Sequence, residues 1–161
     1  MYRSRLGKNL EKITLDYVSS IDDDVEIAHY DILGSQAHAI MLYENKIITK
    51  NEIKKILKGL ESLKKAKFTK KTDSEDIHEL IESLVIKKIG IGAGGKMHTA
   101  RSRNDQVALD IRMKIRDDIN IICQCLLDTI KSLVTLAKKH QDTIVPLYTH
   151  LQQAQVGLFS H

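Results

Sequence analysis

Residues 105–139 read DQVALDIRMKIRDDINIICQCLLDTIKSLVTLAKK, with neither proline nor glycine. Ala108, Ile111, Ile115, Ile119, Ile122, Leu126, Ile130, Leu133 and Ala137 recur at steps of three or four, the spacing that keeps side chains on one face of an α-helix. The spacing predicts one helix of roughly 50 Å at 1.5 Å per residue, far beyond the usual three or four turns. Leu109, Met113, Ile121 and Val134 lie off that stripe. A helix apolar on several sides is expected to be covered on several sides, in a bundle or an oligomer, and to drive self-association. Pro146 is expected to stop the helix, and Thr149 with Gln152 to cap a further one. No later helix follows to cover the rod, so the chain reads as cut short.

Upstream, Thr49 and Glu52 have the spacing of a capping box ahead of an apolar stripe of Ile53, Ile56, Leu57, Leu60 and Leu63. A second box, Thr72 to Glu75, precedes Ile77, Leu80, Ile81, Leu84 and Val85. Residues 24–43 carry Val25, Ala28, Ile32, Ala39 and Leu42 with no strong breaker beyond Gly34, and are read as helical. Gly90, Gly92, Gly94 and Gly95 make the most flexible stretch, a boundary or shaped loop. It lacks the Gly-Lys-Ser/Thr ending of a phosphate loop. The expected class is all-α. Residues 1–103 would form a small N-terminal helical domain that includes the Gly-rich loop, and residues 104–161 the first part of a central long-helix bundle.

Composition narrows the function classes. Hydrophobic residues are 42% and charged residues 29% of the 161, enough apolar material for a core and too much for a disordered chain. The net charge of +4 comes from lysines scattered among acids. The densest run, Lys64, Lys65, Lys67, Lys70 and Lys71, lacks the interleaved aromatic residues of a nucleic-acid platform, so no nucleic-acid partner is expected. Neither a signal peptide nor an unbroken apolar span is legible, which makes the cytoplasm the expected compartment and excludes a membrane partner. Cys123 and Cys125 are read as small buried hydrophobes of a reducing compartment. His29 and His38 lack a second ligand at metal spacing, and no metal is expected.

Chemistry concentrates in His98-Thr-Ala-Arg-Ser-Arg-Asn-Asp105, where two of the six arginines, Arg101 and Arg103, precede a helix start. Guanidinium groups grip carboxylates with paired hydrogen bonds, and a helix N-terminus adds unpaired N–H groups and positive charge, so an anion site follows. The plainer alternative is that Ser102 or Asn104 caps the helix and that the arginines make structural salt bridges. Thr149 and His150 stand where a loop enters the next predicted element. His150 can move protons near neutral pH, or can be a hydrogen-bonded surface histidine, and Thr149 can serve as an N-cap. His78, in Ser74-Glu-Asp-Ile-His78, lies beside its helix's apolar stripe, facing a cleft or partly buried in a structural role.

His98-Thr-Ala-Arg-Ser-Arg-Asn-Asp-Gln106, Tyr148-Thr-His-Leu-Gln-Gln-Ala-Gln155 and Glu75-Asp-Ile-His78 together resemble the N-terminal motifs of the argininosuccinate lyase and delta-crystallin family, within the fumarase and aspartase superfamily. Leu33-Gly-Ser35, after Ser19-Ser20-Ile21, extends the resemblance over nearly the whole chain. Ala100 and Leu147 stand where glycine is frequent in that family, Gln153 where arginine is, and Val156 where proline is. The resemblance implies reversible β-elimination of argininosuccinate to arginine and fumarate, without metal or organic cofactor, by a homotetramer built on a bundle of long helices. It implies that Ser20, Asn104 and Thr149 contact substrate and that Arg103 helps hold its carboxylates. His150 would be the acid/base or relay histidine, with His78, Ser102 and Arg101 as neighbours of the same cleft. Another lyase of the superfamily, or a non-catalytic crystallin-like scaffold, are the competing readings.

The same resemblance places the proton-abstracting serine on a flexible loop with Gly-Ser-Ser, Met-Pro and Lys-Asn elements, and that loop is not found in these residues, which hold neither Gly-Ser-Ser nor Met-Pro. The 161-residue chain by itself is therefore expected to release no fumarate from argininosuccinate, and measurable turnover by the purified chain would contradict this.

Overall fold

The computed structural model describes residues 12–68 and 74–161. The chain divides into two compact units, Met1–Lys114 and Ile115–His161, whose boundary lies inside one long helix. In the first unit, α1 (Lys12–Val18) and α2 (Ile21–Asp24) lead through a 3₁₀ turn (Val25–Ile27) into α3 (Ala28–Glu44). Then follow α4 (Lys50–Glu61), α5 (Ile77–Ile89), the single-turn α6 (Ile91–Gly94) and the start of α7 (Arg103–Lys139).

The core forms where the apolar stripes of α3, α4 and α5 face each other. Ile32, Ala39 and Leu42 meet Ile53, Ile56 and Leu60 from α4 and Ile77, Ile81 and Val85 from α5, with Ile48 and Met97 closing the edges. Each such branched side chain removed from water stabilises the fold by about 1.5–3 kcal/mol before entropy is counted. The predicted box at α4 is present: Thr49 Oγ1 accepts from the Glu52 amide at 3.3 Å, and the Glu52 carboxylate accepts from the Thr49 amide at 2.8 Å. Lys96 Nζ donates to the same carboxylate at 2.6 Å, and these bonds, that from Lys96 foremost, hold the Glu52 carboxyl down at about 2.

The box expected ahead of α5 forms elsewhere. Thr72 lies outside the described residues, and Asp76 is the N-cap, accepting from the Glu79 amide at 2.6 Å while Glu79 accepts from the Glu75 amide at 2.8 Å. Four residues of the glycine-rich stretch, expected to be a flexible loop, instead form α6, folded back against α5. A β-carbon on Gly94 would lie 2.8 Å from Ile86 Cγ1 and 2.9 Å from Ile86 Cα, so the absence of a side chain is what lets the backbones approach.

In the second unit α7 continues to Lys139 and is followed by a hairpin, β1 (Ile144–Thr149) and β2 (Gln152–Leu158). The long helix predicted from its period is present, and the helical class holds apart from this hairpin. The expected cap at Thr149 and Gln152 is overturned: those two residues pair across antiparallel strands, with His150 and Leu151 as a two-residue turn. Both turn residues have positive φ, 51° and 63°, as a type I′ turn requires. Pro146 does not stop α7. It sits in β1 opposite Val156, and the pairing is irregular between it and Tyr148.

Along α7, Ile119, Leu126 and Leu133 are 52%, 57% and 61% exposed within the chain, and Cys123 and Cys125 are exposed rather than buried. By length and composition alone this helix would also cross a membrane, a property hidden from a search for unbroken apolar runs. Asn120, Gln124, Asp128 and Lys131 interrupt its apolar residues every three or four positions, a pattern suited to partner helices rather than to lipid.

Gly94→Ala should destabilise the protein by about 1–3 kcal/mol, because a backbone atom of Ile86 cannot yield to the new methyl group. Urea unfolding of the variant beside the parent checks this.

Candidate active site

The turn 98–102 and the first two turns of α7 lie against one face of α3. Asp31, Gly34, Ser35 and His38 stand three, four and seven residues apart, so a helix presents them as a single stripe. Each meets the turn or α7. His38 Nε2 lies 2.8 Å from the Thr99 carbonyl, and Arg101 Nη1 donates to Ser35 Oγ at 2.9 Å. Gln106 Nε2 donates to Asp31 Oδ1. Gly34 provides the clearance: a β-carbon there would lie 3.1 Å from Leu109 Cδ2 and 3.3 Å from Asp110 Oδ1.

Ser102 is the cap of α7, its Oγ accepting from the Asn104 amide at 3.2 Å. Asn104 accordingly sits in the first helical turn, and its own side chain is not the cap. Arg103 is held by Asp76, with Nε 3.2 Å from Oδ2, and donates from Nη1 to Gln106 Oε1 at 2.7 Å. Its side chain is 35% exposed, so the guanidinium is anchored on one side and wet on another. Just before the cap, Ala100 has φ 56°, a left-handed conformation that costs a residue with a β-carbon about 1–2 kcal/mol. The backbone thus turns sharply where the two arginines are presented.

His78 is more deeply placed than a cleft-edge residue. It is buried, with Nδ1 3.1 Å from Asp31 Oδ1 and 3.5 Å from Asp110 Oδ2. Asp31 Oδ1 already accepts from Gln106 and so faces the imidazole as an acceptor, which puts the proton on Nδ1. Burial, and then the negative charge of Asp31, push the Asp110 carboxyl up to about 7, against the pull of His78 and Arg101. Burial likewise raises Glu82 and lowers His98, the latter helped by Arg103 and Arg101. Asp31, His78 and Asp110 offer three ligand-type atoms within 4.8 Å of one another. Gln106 and the imidazole already direct their donors at Asp31, and Arg101 supplies positive charge nearby, so the donor set fits an internal ion-pair network better than a cation.

Ser20 is exposed, its Oγ donating to Asp24 Oδ2 at 2.6 Å and its amide to the Glu75 carbonyl at 3.0 Å, next to the Asp76 that holds Arg103. Ser20, His78, Arg101, Ser102, Arg103 and Asn104 thus belong to the first unit, around the head of α7. Thr149 and His150 belong to the second, at the hairpin tip. The sequence reading missed Asp31, Ser35, Gln106 and Asp110. The signal was the polar stripe of α3 and the four-residue step from Gln106 to Asp110.

Comparison with known proteins places the chain among lyases. The chain is 73% identical over 161 residues to an argininosuccinate lyase of Nitrosopumilus maritimus, covering 100% of this chain and 33% of that protein. It is 44% identical over 162 residues to an argininosuccinate lyase of Methanocaldococcus jannaschii, covering 99% and 34%. It is 43% identical over 162 residues to that of Caldanaerobacter subterraneus, covering 100% and 37%. The chain spans about a third of the length of the curated relatives it matches.

Ser102→Ala removes the cap of α7 and should cost about 1 kcal/mol, seen as roughly fivefold faster exchange of the Asn104 amide hydrogen. Unchanged exchange there would mean that the cap is supplied otherwise.

A model of the lyase family matches residues 5–161, nearly the entire sequence, and the chain belongs to that family.

Proposed function

We propose that the protein is an argininosuccinate lyase, interconverting argininosuccinate with arginine and fumarate in arginine biosynthesis in the cytoplasm. The observation that carries this reading is the arginine-bearing turn at the head of α7. There Ser102 caps the helix and Arg103 is braced by Asp76 and Gln106 while remaining partly open to solvent. Likeness to the named relatives supports the choice of substrate.

The chemistry asks for such a turn. Removing a proton next to a carboxylate puts negative charge on the carboxylate oxygens in the transition state. Fixed guanidinium charge and helix N-terminal N–H groups stabilise that charge without reorganising. Arg103 holds a substrate carboxylate, with Asn104 and Ser20 as further contacts and Arg101 setting the turn through Ser35. At the hairpin tip, Thr149 contacts substrate and His150 moves protons as acid, base or relay. Its left-handed backbone is the kind of strain that collects at functional positions.

The apolar length of α7 fits a homotetramer in which several chains contribute helices to one bundle and several subunits complete each site. The exposed isoleucines and leucines would then be covered by other helices rather than by water.

Incubating the full-length protein with argininosuccinate, adenylosuccinate, aspartate and malate separates the members of the superfamily. Fumarate is expected from argininosuccinate, and preference for any other compound, or no turnover, overturns the reading. Arg103→Gln should lower kcat/KM for argininosuccinate by about 10²–10³. His150→Asn should lower kcat by about 10²–10⁴ and remove one limb of its pH profile.

A further inference from the structure

We propose that the buried cluster of Asp31, His78 and Asp110 is a proton-dependent pin that fixes the head of α7 against α3 and α5, with His78 and Asp110 as positioning residues for the Arg101–Asn104 turn. The positioning role rests on the reading of that turn as the carboxylate site; the pin itself does not.

The cluster joins three helices far apart in sequence. Among the described residues, every buried polar or charged side chain belongs to it or its margin: Asp31, Ser35, His78, Gln106 and Asp110. An apolar cluster would fill the same space without desolvating charge, so the network contributes directionality rather than strength. Its bonds set the rotation of α7 about its own axis. Gln106 and Asp110 are four residues apart and both face Asp31 and His78, while Arg101, just ahead of the helix, reaches Ser35 one turn along α3. Turning or sliding α7 would break these contacts and move Arg103 and Asn104 with them.

Bonding in the cluster is incomplete in a way that a proton can change. Asp31 Oδ2, both carboxyl oxygens of Asp110 and His78 Nε2 are buried without a hydrogen-bond partner. Two carboxyl groups so placed do not both ionise readily, and a proton kept by Asp110 can bridge to Asp31. The titratable and charged groups facing Asp110 are Asp31 from α3, His78 from α5 and Arg101 from the turn. Glu82 and Arg103 stand behind them, acting on each other and, for Glu82, on Asp31.

The sign follows from the raised carboxyl. Asp110 titrates near 7 in the folded protein, against roughly 3.9 in an unfolded chain. Between these values the folded state binds more protons than the unfolded one. The contribution of the pin to stability is therefore fully present below about pH 4 and is lost as pH rises through about 7.

The test uses the full-length protein and three variants. Asp110→Asn keeps the shape of the protonated carboxyl without its titration. His78→Gln removes the donor at Nδ1, and His78→Asn restores a donor close to that position. Expected is a melting temperature that falls less from pH 5 to pH 8 in Asp110→Asn than in the parent. In His78→Gln, amide hydrogens of residues 101–106 should exchange about tenfold faster while those of 120–135 do not change. KM for argininosuccinate should rise about tenfold, more than kcat falls, with both effects partly reversed in His78→Asn.

Parallel pH dependence in parent and Asp110→Asn overturns the proton dependence. Unchanged exchange at 101–106 overturns the pin, and a fall in kcat with KM unmoved overturns positioning in favour of a direct chemical role. Absence of turnover in the parent defeats the lyase reading alone, because the melting and exchange arms judge the pin without substrate. Should His78→Gln not fold, failure of His78→Asn to restore folding counts against the donor at Nδ1.

Discussion

Charge buried between helices is costly unless it is paired, and the first unit of this protein accepts that cost where α3, α5 and α7 meet. Asp31 receives donors from His78 and Gln106, Asp110 faces the same imidazole, and Arg101 stands close by. Apolar contacts between α3, α4 and α5 make the unit compact, but such contacts tolerate sliding. The directional bonds decide where along α3 the next helix begins, and hence where two guanidinium groups enter solvent.

Around that constraint the rest of the first unit is economical. The Thr49–Glu52 box starts α4, Lys96 ties the same carboxylate to the segment after α6, and Gly94 lets that segment fold close to α5. The turn at Ala100 then redirects the chain into Ser102 and the N-terminus of α7. Each step shortens the path from the apolar core to the polar turn. The turn that presents the two arginines is thereby carried on rigid elements, the arrangement that limits its positional freedom.

The sequence made some of this legible and hid the rest for identifiable reasons. The period of residues 105–139 announced α7 because nothing in it breaks a helix, and the Thr49–Glu52 spacing marked a boundary with one strong local solution. The hairpin was hidden because Thr149 and Gln152 satisfy the spacing of a capping box as well as that of paired strand ends. Its turn also carries His150 and Leu151 rather than the glycine or asparagine that usually adopts positive φ. The β-favouring run of Ile144, Val145, Tyr148 and Thr149 was the better signal. Asp31 and Asp110 were overlooked since a carboxylate on a helix normally faces water. The polar stripe of α3 and the step from Gln106 to Asp110 hint at the exception, and the donors from other helices establish it. Cys123 and Cys125 were placed inside on residue type, whereas exposure on α7 depends on what lies outside the chain.

The hairpin that ends the chain has no slack. Thr149 pairs directly with Gln152, so the two residues between them leave no spare length, and successive side chains along each strand point to opposite faces. Lengthening that tip by one position would invert the facing of everything after it relative to the partner strand. The direction in which the imidazole is offered is thus a matter of arithmetic as much as of chemistry. Insertions at this tip should therefore be poorly tolerated.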